Sequence, residues 1–146
     1  MAAVEMSPAE WEVMRVVWTK GTAATNEIVA VMQQKRDWAE STIKTLLRRL
    51  VGKQALATNK VGRQFVYQPL ISEQVAMTQT ADELFDHLCE MKQGTVLLGL
   101  LQRTILSQGD IQAMQQLLAT KAETAPAQVA CNCLADQCTC DKEEVK

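Results

Sequence analysis

The feature that most restricts how this chain can fold is the pattern of residues 38–69. Ile43, Leu46, Leu47 and Leu50 fall on one face at helical spacing, and Ser41, Thr45 and Arg48 fall opposite them, with Lys44 and Arg49 on the flanks. No carboxylate follows Glu40 on that helix, expected from near Trp38 to Lys53. Beyond it, Leu56-Ala57-Thr58-Asn59-Lys60 and Gln64-Phe65-Val66-Tyr67-Gln68 flank Val61-Gly62-Arg63. Phe65 and Tyr67 share one face and Gln64, Val66 and Gln68 the other, which is strand period. Gly62 stands where a tight hairpin needs positive φ.

Two helices precede this pattern. Ser7-Pro8-Ala9-Glu10 joins a capping Ser, a Pro at the first helical position and a Glu three residues after the cap. Trp11, Met14, Val17 and Trp18 continue at helical spacing, and Lys20-Gly21 ends the segment. Thr25 is expected to cap a second helix through Gln34. Three helices and a hairpin with Lys60 and Arg63 beside its turn make a winged helix-turn-helix arrangement, in which the third helix enters the major groove. Cations suit guanine edges and phosphates, and short hydroxyls allow close approach. The candidate DNA contacts are therefore Ser41, Thr42, Lys44, Thr45, Arg48, Arg49, Lys53, Lys60 and Arg63.

Charge supports that division of labour. The chain as a whole carries −2, yet residues 1–71 carry +4 and residues 72–146 carry −6. A basic front suits a polyanion and an acidic rear does not. With 47% apolar and 22% charged residues, the 146-residue chain has ordinary globular composition. No apolar run approaches the ~20 residues of a membrane span, and the N-terminus has neither a basic start nor an apolar run. The expectation is a cytoplasmic protein that does not engage membrane.

The rear half reads as helices with more apolar surface than they can cover. Ser72 is expected to open a long fourth helix running to about Lys92, with Met77, Ala81, Leu84, Leu88 and Met91 as an a/d-like stripe. Phe85 and Cys89 lie beside the stripe, where a lone Cys reads as a small buried hydrophobe. His87 and the seven Met residues read as surface and core. Thr95 to Leu106 is apolar nearly all round, which calls for a second subunit to cover it. Ser107-Gln108-Gly109-Asp110 is a capping box opening a last helix, with Ile111, Met114, Leu117 and Leu118 as its stripe. A two-fold homodimer would present two reading helices to half-sites ~34–36 Å apart, or a multiple of that.

The organisation expected is thus mainly α: residues 1–71 a winged-helix DNA-binding domain, 72–120 a helical dimerisation region, and 121–146 a linker and Cys-rich tail. Four of the five cysteines, Cys131, Cys133, Cys138 and Cys140, lie in that tail as Cys-x-Cys-x₄-Cys-x-Cys. In a reducing compartment such a cluster is a metal site rather than a disulfide framework. In an extended Cys-x-Cys both sulfurs fall on the same face and can reach one centre. Four thiolates suit tetrahedral zinc, and soft thiolate also suits Cu(I). The spacing is not the Cys-x₂-Cys of zinc ribbons, and no Cys-x-x-Cys at a helix start suggests a thiol oxidoreductase. No Ser/His/Asp set, phosphate loop or paired-carboxylate site stands out, and the single His restricts acid–base chemistry. An enzyme is not expected. A cytoplasmic metal buffer or copper acceptor would account for the tail but not for the basic helix and wing.

Ser-Pro-Ala-Glu-Trp-Glu-Val-Met at 7–14, Thr-Ile-Lys-Thr-Leu-Leu-Arg-Arg-Leu at 42–50 and Gly-Arg-Gln-Phe-Val-Tyr at 62–67 resemble the winged-helix repressors of the penicillinase and methicillin-resistance type, over about residues 7–120. With its terminal cysteine pattern the chain is similar to that family's copper-responsive branch. The resemblance implies a homodimer that holds Zn²⁺ and binds a palindromic operator of copper-transport genes. It also implies that Cu⁺, delivered by a copper chaperone, displaces the zinc at the tail and releases the DNA. Relatives often carry a capping Ser where this chain has Ala39. Exchanging one Zn²⁺ for two Cu⁺ leaves a four-thiolate site at the same net charge, so the release expected is geometric, not electrostatic.

Overall fold

The structure, a computed structural model, describes residues 4–133 and divides into two compact units, Met1–Glu83 and Leu84–Lys146. In the front unit, helix α1 (Pro8–Lys20) starts where the Ser7 hydroxyl accepts the Glu10 N–H at 3.2 Å, with Pro8 in its first turn. Gly21 closes α1 at φ +80, its N–H bonded to the Val17 carbonyl. A two-residue strand, β1 (Ala23–Ala24), leads directly into α2 (Thr25–Lys35). Helix α3 is Glu40–Gly52, and β2 (Leu56–Val61) and β3 (Gln64–Pro69) form the hairpin.

The three strands pair antiparallel in the order β1-β3-β2, with Ala23 opposite Tyr67 and Val61 opposite Gln64. That register leaves Gly62 and Arg63 as a two-residue turn. Gly62 takes φ +63 and Arg63 does not take positive φ, the type II′ pattern that only the first residue's freedom makes possible. Strand β1 has no counterpart in the sequence pattern, because two alanines carry no strand signal.

The core of this unit gathers Val13, Met14 and Val17 from α1, Ile28 and Met32 from α2, and Ile43, Leu46, Leu47 and Leu50 from α3, closed by Leu56 of β2. All four of the apolar α3 residues named from the sequence are buried, each worth about 1.5–3 kcal/mol relative to exposure. Trp18 fastens the unit's far end: its ring packs against Trp11 at 5.6 Å, and its indole N–H donates to the Ile71 carbonyl at 2.8 Å. Arg36, just past α2, grips Glu12 of α1 through its guanidinium, which holds the Glu12 carboxyl below its ordinary range.

One local expectation is corrected. Thr25 does not cap α2; Ala24 occupies that position without a side-chain bond, and the Thr25 hydroxyl donates instead to the Phe65 carbonyl at 3.3 Å, tying the helix to the hairpin. Helix α3 begins after Ala39 with no side-chain cap, as an alanine at that position implies.

The long fourth helix is also broken. Helix α4 (Glu73–Asp86) stops, residues 87–89 turn, and α5 (Glu90–Arg103) begins. The stripe of Leu84, Leu88 and Met91 reports which face is apolar, and that is compatible with a turn inserted between two helices. In the rear unit α5 is followed by α6 (Gln108–Ala122), opened by the expected box: Ser107 Oγ accepts the Asp110 N–H and Asp110 accepts the Ser107 N–H. That bond also draws the Asp110 carboxyl below its ordinary range. Among the described residues of the rear unit no side chain is fully buried. Leu98, Ile105, Leu117 and Leu118 are more than half exposed.

Candidate nucleic-acid interface and metal centre

Helix α3 places Ser41, Thr42, Lys44, Thr45, Arg48 and Arg49 on its exposed face, because the buried residues at 43, 46, 47 and 50 fix the helix's rotation. The hairpin turns toward this face. A groove of about 410 Å³ runs between them, lined by Lys44, Arg48 and Val51 of α3, Thr58, Phe65 and Tyr67 of the hairpin, and Thr25. A second, of about 290 Å³, adjoins Lys44, Arg63 and Phe65. Phe65 is half exposed, giving the rim of a cationic groove an aromatic face.

The candidate cations are not equivalent. Among the described residues Arg48, Arg49, Lys60 and Arg63 form no ion pair, whereas Lys44 reaches Glu40 one turn back at 2.8 Å. That exposed pair is worth little, and a phosphate could displace it. Thr45 donates its hydroxyl to the Ser41 carbonyl at 2.9 Å, leaving its oxygen able only to accept. Lys53 is engaged elsewhere. Its Nζ lies 3.0 and 2.9 Å from the two carboxylate oxygens of Glu10 and 2.7 Å from the Glu5 carbonyl. The second carboxylate oxygen is within ion-pair reach but outside hydrogen-bond geometry.

Glu10 is 3% exposed, the one buried charged residue among those described. Burial pushes its carboxyl up, but Lys53 and then the Ser7 cap outweigh that and hold it below its ordinary value. The front unit thus uses Lys53 to neutralise a buried charge, a role its position in a basic helix did not disclose.

The rear unit gathers sulfur. The Sγ atoms of Cys89, Cys131 and Cys133 all lie within 4.8 Å of one another, with Cys89 and Cys131 at 3.4 Å. Four thiolates at ~2.3 Å from a tetrahedral zinc stand ~3.8 Å apart, so the spacing and the donor chemistry both fit a thiophilic ion. Cys131 and Cys133 thus come together as their spacing suggested, while Cys138 and Cys140 lie outside the described residues. Cys89, expected as a small buried hydrophobe, is half-buried at the N-cap of α5, beside the tail's first two thiols. Its spacing from them, 42 residues, is too wide for any local pattern to announce. Among the described residues no helix is long and apolar enough to cross a membrane.

A family match covers the front unit and the helices after it. The penicillinase repressor family matches residues 6–120, a span that includes α1 to α5 and most of α6 and stops short of Cys131. An uncharacterized 16.5 kDa protein in the ptsI 3′ region of Latilactobacillus sakei is 50% identical over 140 residues, 96% of each chain. The methicillin resistance regulatory protein MecI of Mammaliicoccus sciuri is 32% identical over 80% of this chain and 95% of its own length. The penicillinase repressor of Bacillus licheniformis is 32% identical over 78% and 89%. Among solved structures, the DNA-binding domain of the repressor BlaI is 42% identical, with a TM-score of 0.47 over 50% of this chain and 90% of that one. The CopR repressor is 50% identical, with a TM-score of 0.41 over 47% and 99%. With its winged-helix front unit and a family match over most of its length, the chain belongs to the penicillinase repressor family of transcriptional repressors.

Proposed function

We propose that the protein is a copper-responsive transcriptional repressor. As a homodimer it grips a palindromic operator of copper-transport genes in a zinc-holding state and lets go when Cu(I), brought by a copper chaperone, takes the zinc's place. The observation that carries this reading is the presence of both halves in one chain: thiols gathered within 4.8 Å and an α3 face of hydroxyls and cations without a carboxylate after Glu40.

Arg48 and Lys44 read base edges, with Ser41, Thr42 and Thr45 allowing close approach. Arg49, Lys60 and Arg63 hold phosphates and set register. Lys53 supports the surface from behind through Glu10. Cys131, Cys133, Cys138 and Cys140 hold the metal, which supplies a cross-link that fixes the tail's conformation. The exposed leucines of α5 and α6 form the dimer seam, since helices this apolar gain stability only against another chain.

The test is a titration of Cu(I) into zinc-loaded protein on a labelled duplex carrying the promoter of copper-transport genes, at fixed salt. A loss of affinity of at least a hundredfold is expected, about 2.7 kcal/mol of coupling. Unchanged affinity with all tail thiols metallated would overturn the reading. Duplex binding by a protein lacking residues 123–146 would exclude the metal-buffer alternative.

A further inference from the structure

We propose that Cys89 is itself a ligand of the thiolate metal centre, which the Cys131-Asn132-Cys133 segment carries to the first turn of α5. The inference rests on the reading above, that the tail binds a metal, and adds to it a fifth sulfur and a place of attachment.

Three observations converge on the α4–α5 break. Cys89 is the N-cap residue of α5, yet its side chain makes no capping bond to the helix. The cap is supplied from the tail, where Asn132 Oδ1 accepts the Glu90 N–H at 3.0 Å. The residues on either side of Asn132 are the two thiols that meet Cys89. One three-residue segment therefore satisfies the helix end and delivers sulfur to it. The Cys133 N–H points to Cys131 Sγ at 3.4 Å, a donor placed to support an anionic sulfur, and a helix N-terminus favours negative charge at its first turn.

The Cys89–Cys131 separation of 3.4 Å is well beyond the ~2.05 Å of a disulfide and close to the ~3.8 Å of two sulfurs on one ion. A soft cation, Zn²⁺ or Cu⁺, is the class of ligand that three such donors select. Each thiol that binds gives its proton to solvent, so loading releases protons and weakens as pH falls. With Cys89 the chain offers five sulfurs, one more than tetrahedral zinc takes. Replacing zinc by copper can therefore change whether Cys89 is among the sulfurs engaged, and with it the hold of the tail on α5. That supplies the geometric link that equal site charge requires.

The experiment uses reduced full-length protein with and without one equivalent of Zn²⁺, following alkylation of each cysteine by mass spectrometry. Zinc should slow alkylation of Cys89 at least tenfold, together with the tail thiols, and a chelator should restore it. Cys89→Ser should lower zinc affinity tenfold or more and reduce the sulfur-to-metal charge-transfer absorption when Co²⁺ replaces zinc. Equal alkylation of Cys89 with and without zinc, while Cys131 and Cys133 are protected, overturns the inference and leaves the repressor reading intact. Tail thiols unprotected by either metal would overturn both. Protection of Cys89 in a protein whose duplex binding ignores Cu(I) would uphold the ligand and remove the repressor reading. Should Cys89→Ser fold poorly, alkylation of the unaltered chain decides alone.

Discussion

At the scale of single residues, Lys53 and Glu10 show how a surface reading can hide a structural pair. Lys53 belongs to the basic run that leaves α3, yet its ammonium sits on a carboxylate that is 3% exposed. Breaking such a pair by removing one partner costs about 3–5 kcal/mol when both are buried. The Lys53 side chain is 38% exposed, so solvent screening brings the expected cost of Lys53→Ala to about 1–3 kcal/mol. The pH dependence carries the sign. Glu10 is held below the ordinary carboxylate value in the fold, so its contribution is fully present above the unfolded value and is lost as acid takes the pH down through the folded one. In Lys53→Ala only the Ser7 bonds still oppose burial and the folded value rises above the parent's, so mild acid should weaken the variant less than it weakens the parent. Thermal unfolding between pH 3.5 and 7 reads both slopes. Parallel slopes would show that Lys53 does not govern the Glu10 carboxyl.

Between elements, helix and wing should fail differently. Arg48→Ala removes a group from the middle of the α3 face, and it should lose discrimination between operator and random duplex by about 1–3 kcal/mol. Lys60→Ala, on the hairpin, should weaken both duplexes alike and lower the slope of log affinity against log salt by about 1. Equal losses from both variants on every sequence would remove α3 as the reader. The face of α3, the Gly62 turn and the Ser107 box were all legible in the sequence, because each is set by residues within four positions of one another. What escaped was set from a distance. Thr25 gave up its capping role to a carbonyl 40 residues on. The end of α4 was masked by a stripe that keeps phase across the turn, and the start of α5 is capped by a residue 42 positions away. The thiols beside Cys89 escaped for the same reason: periodicity tells which way a side chain faces, not which segment returns to meet it.

For the whole molecule, the leucines left exposed on α5 and α6 bear on assembly. Leu98→Asp or Leu117→Asp, at positions 59% and 60% exposed, should leave an isolated chain almost unaltered but place a charge in the seam of a homodimer. Sedimentation should then show monomer, with operator affinity falling as the second half-site is lost; a dimer surviving both changes would move the seam elsewhere. Linkage makes a further demand. If exchange of zinc for copper weakens operator binding a hundredfold, operator DNA must disfavour that exchange by the same factor, which competition with a Cu(I) chelator measures directly. Exchange indifferent to operator would exclude coupling through binding equilibria. The three tryptophans, Trp11, Trp18 and Trp38, all fall in the front unit, and the Trp18 indole is pinned to the Ile71 carbonyl just ahead of α4. None of these tryptophans belongs to the segment that carries the tail thiols. A change in native emission on adding Cu(I) to the DNA-free protein would be a label-free sign that the message has arrived.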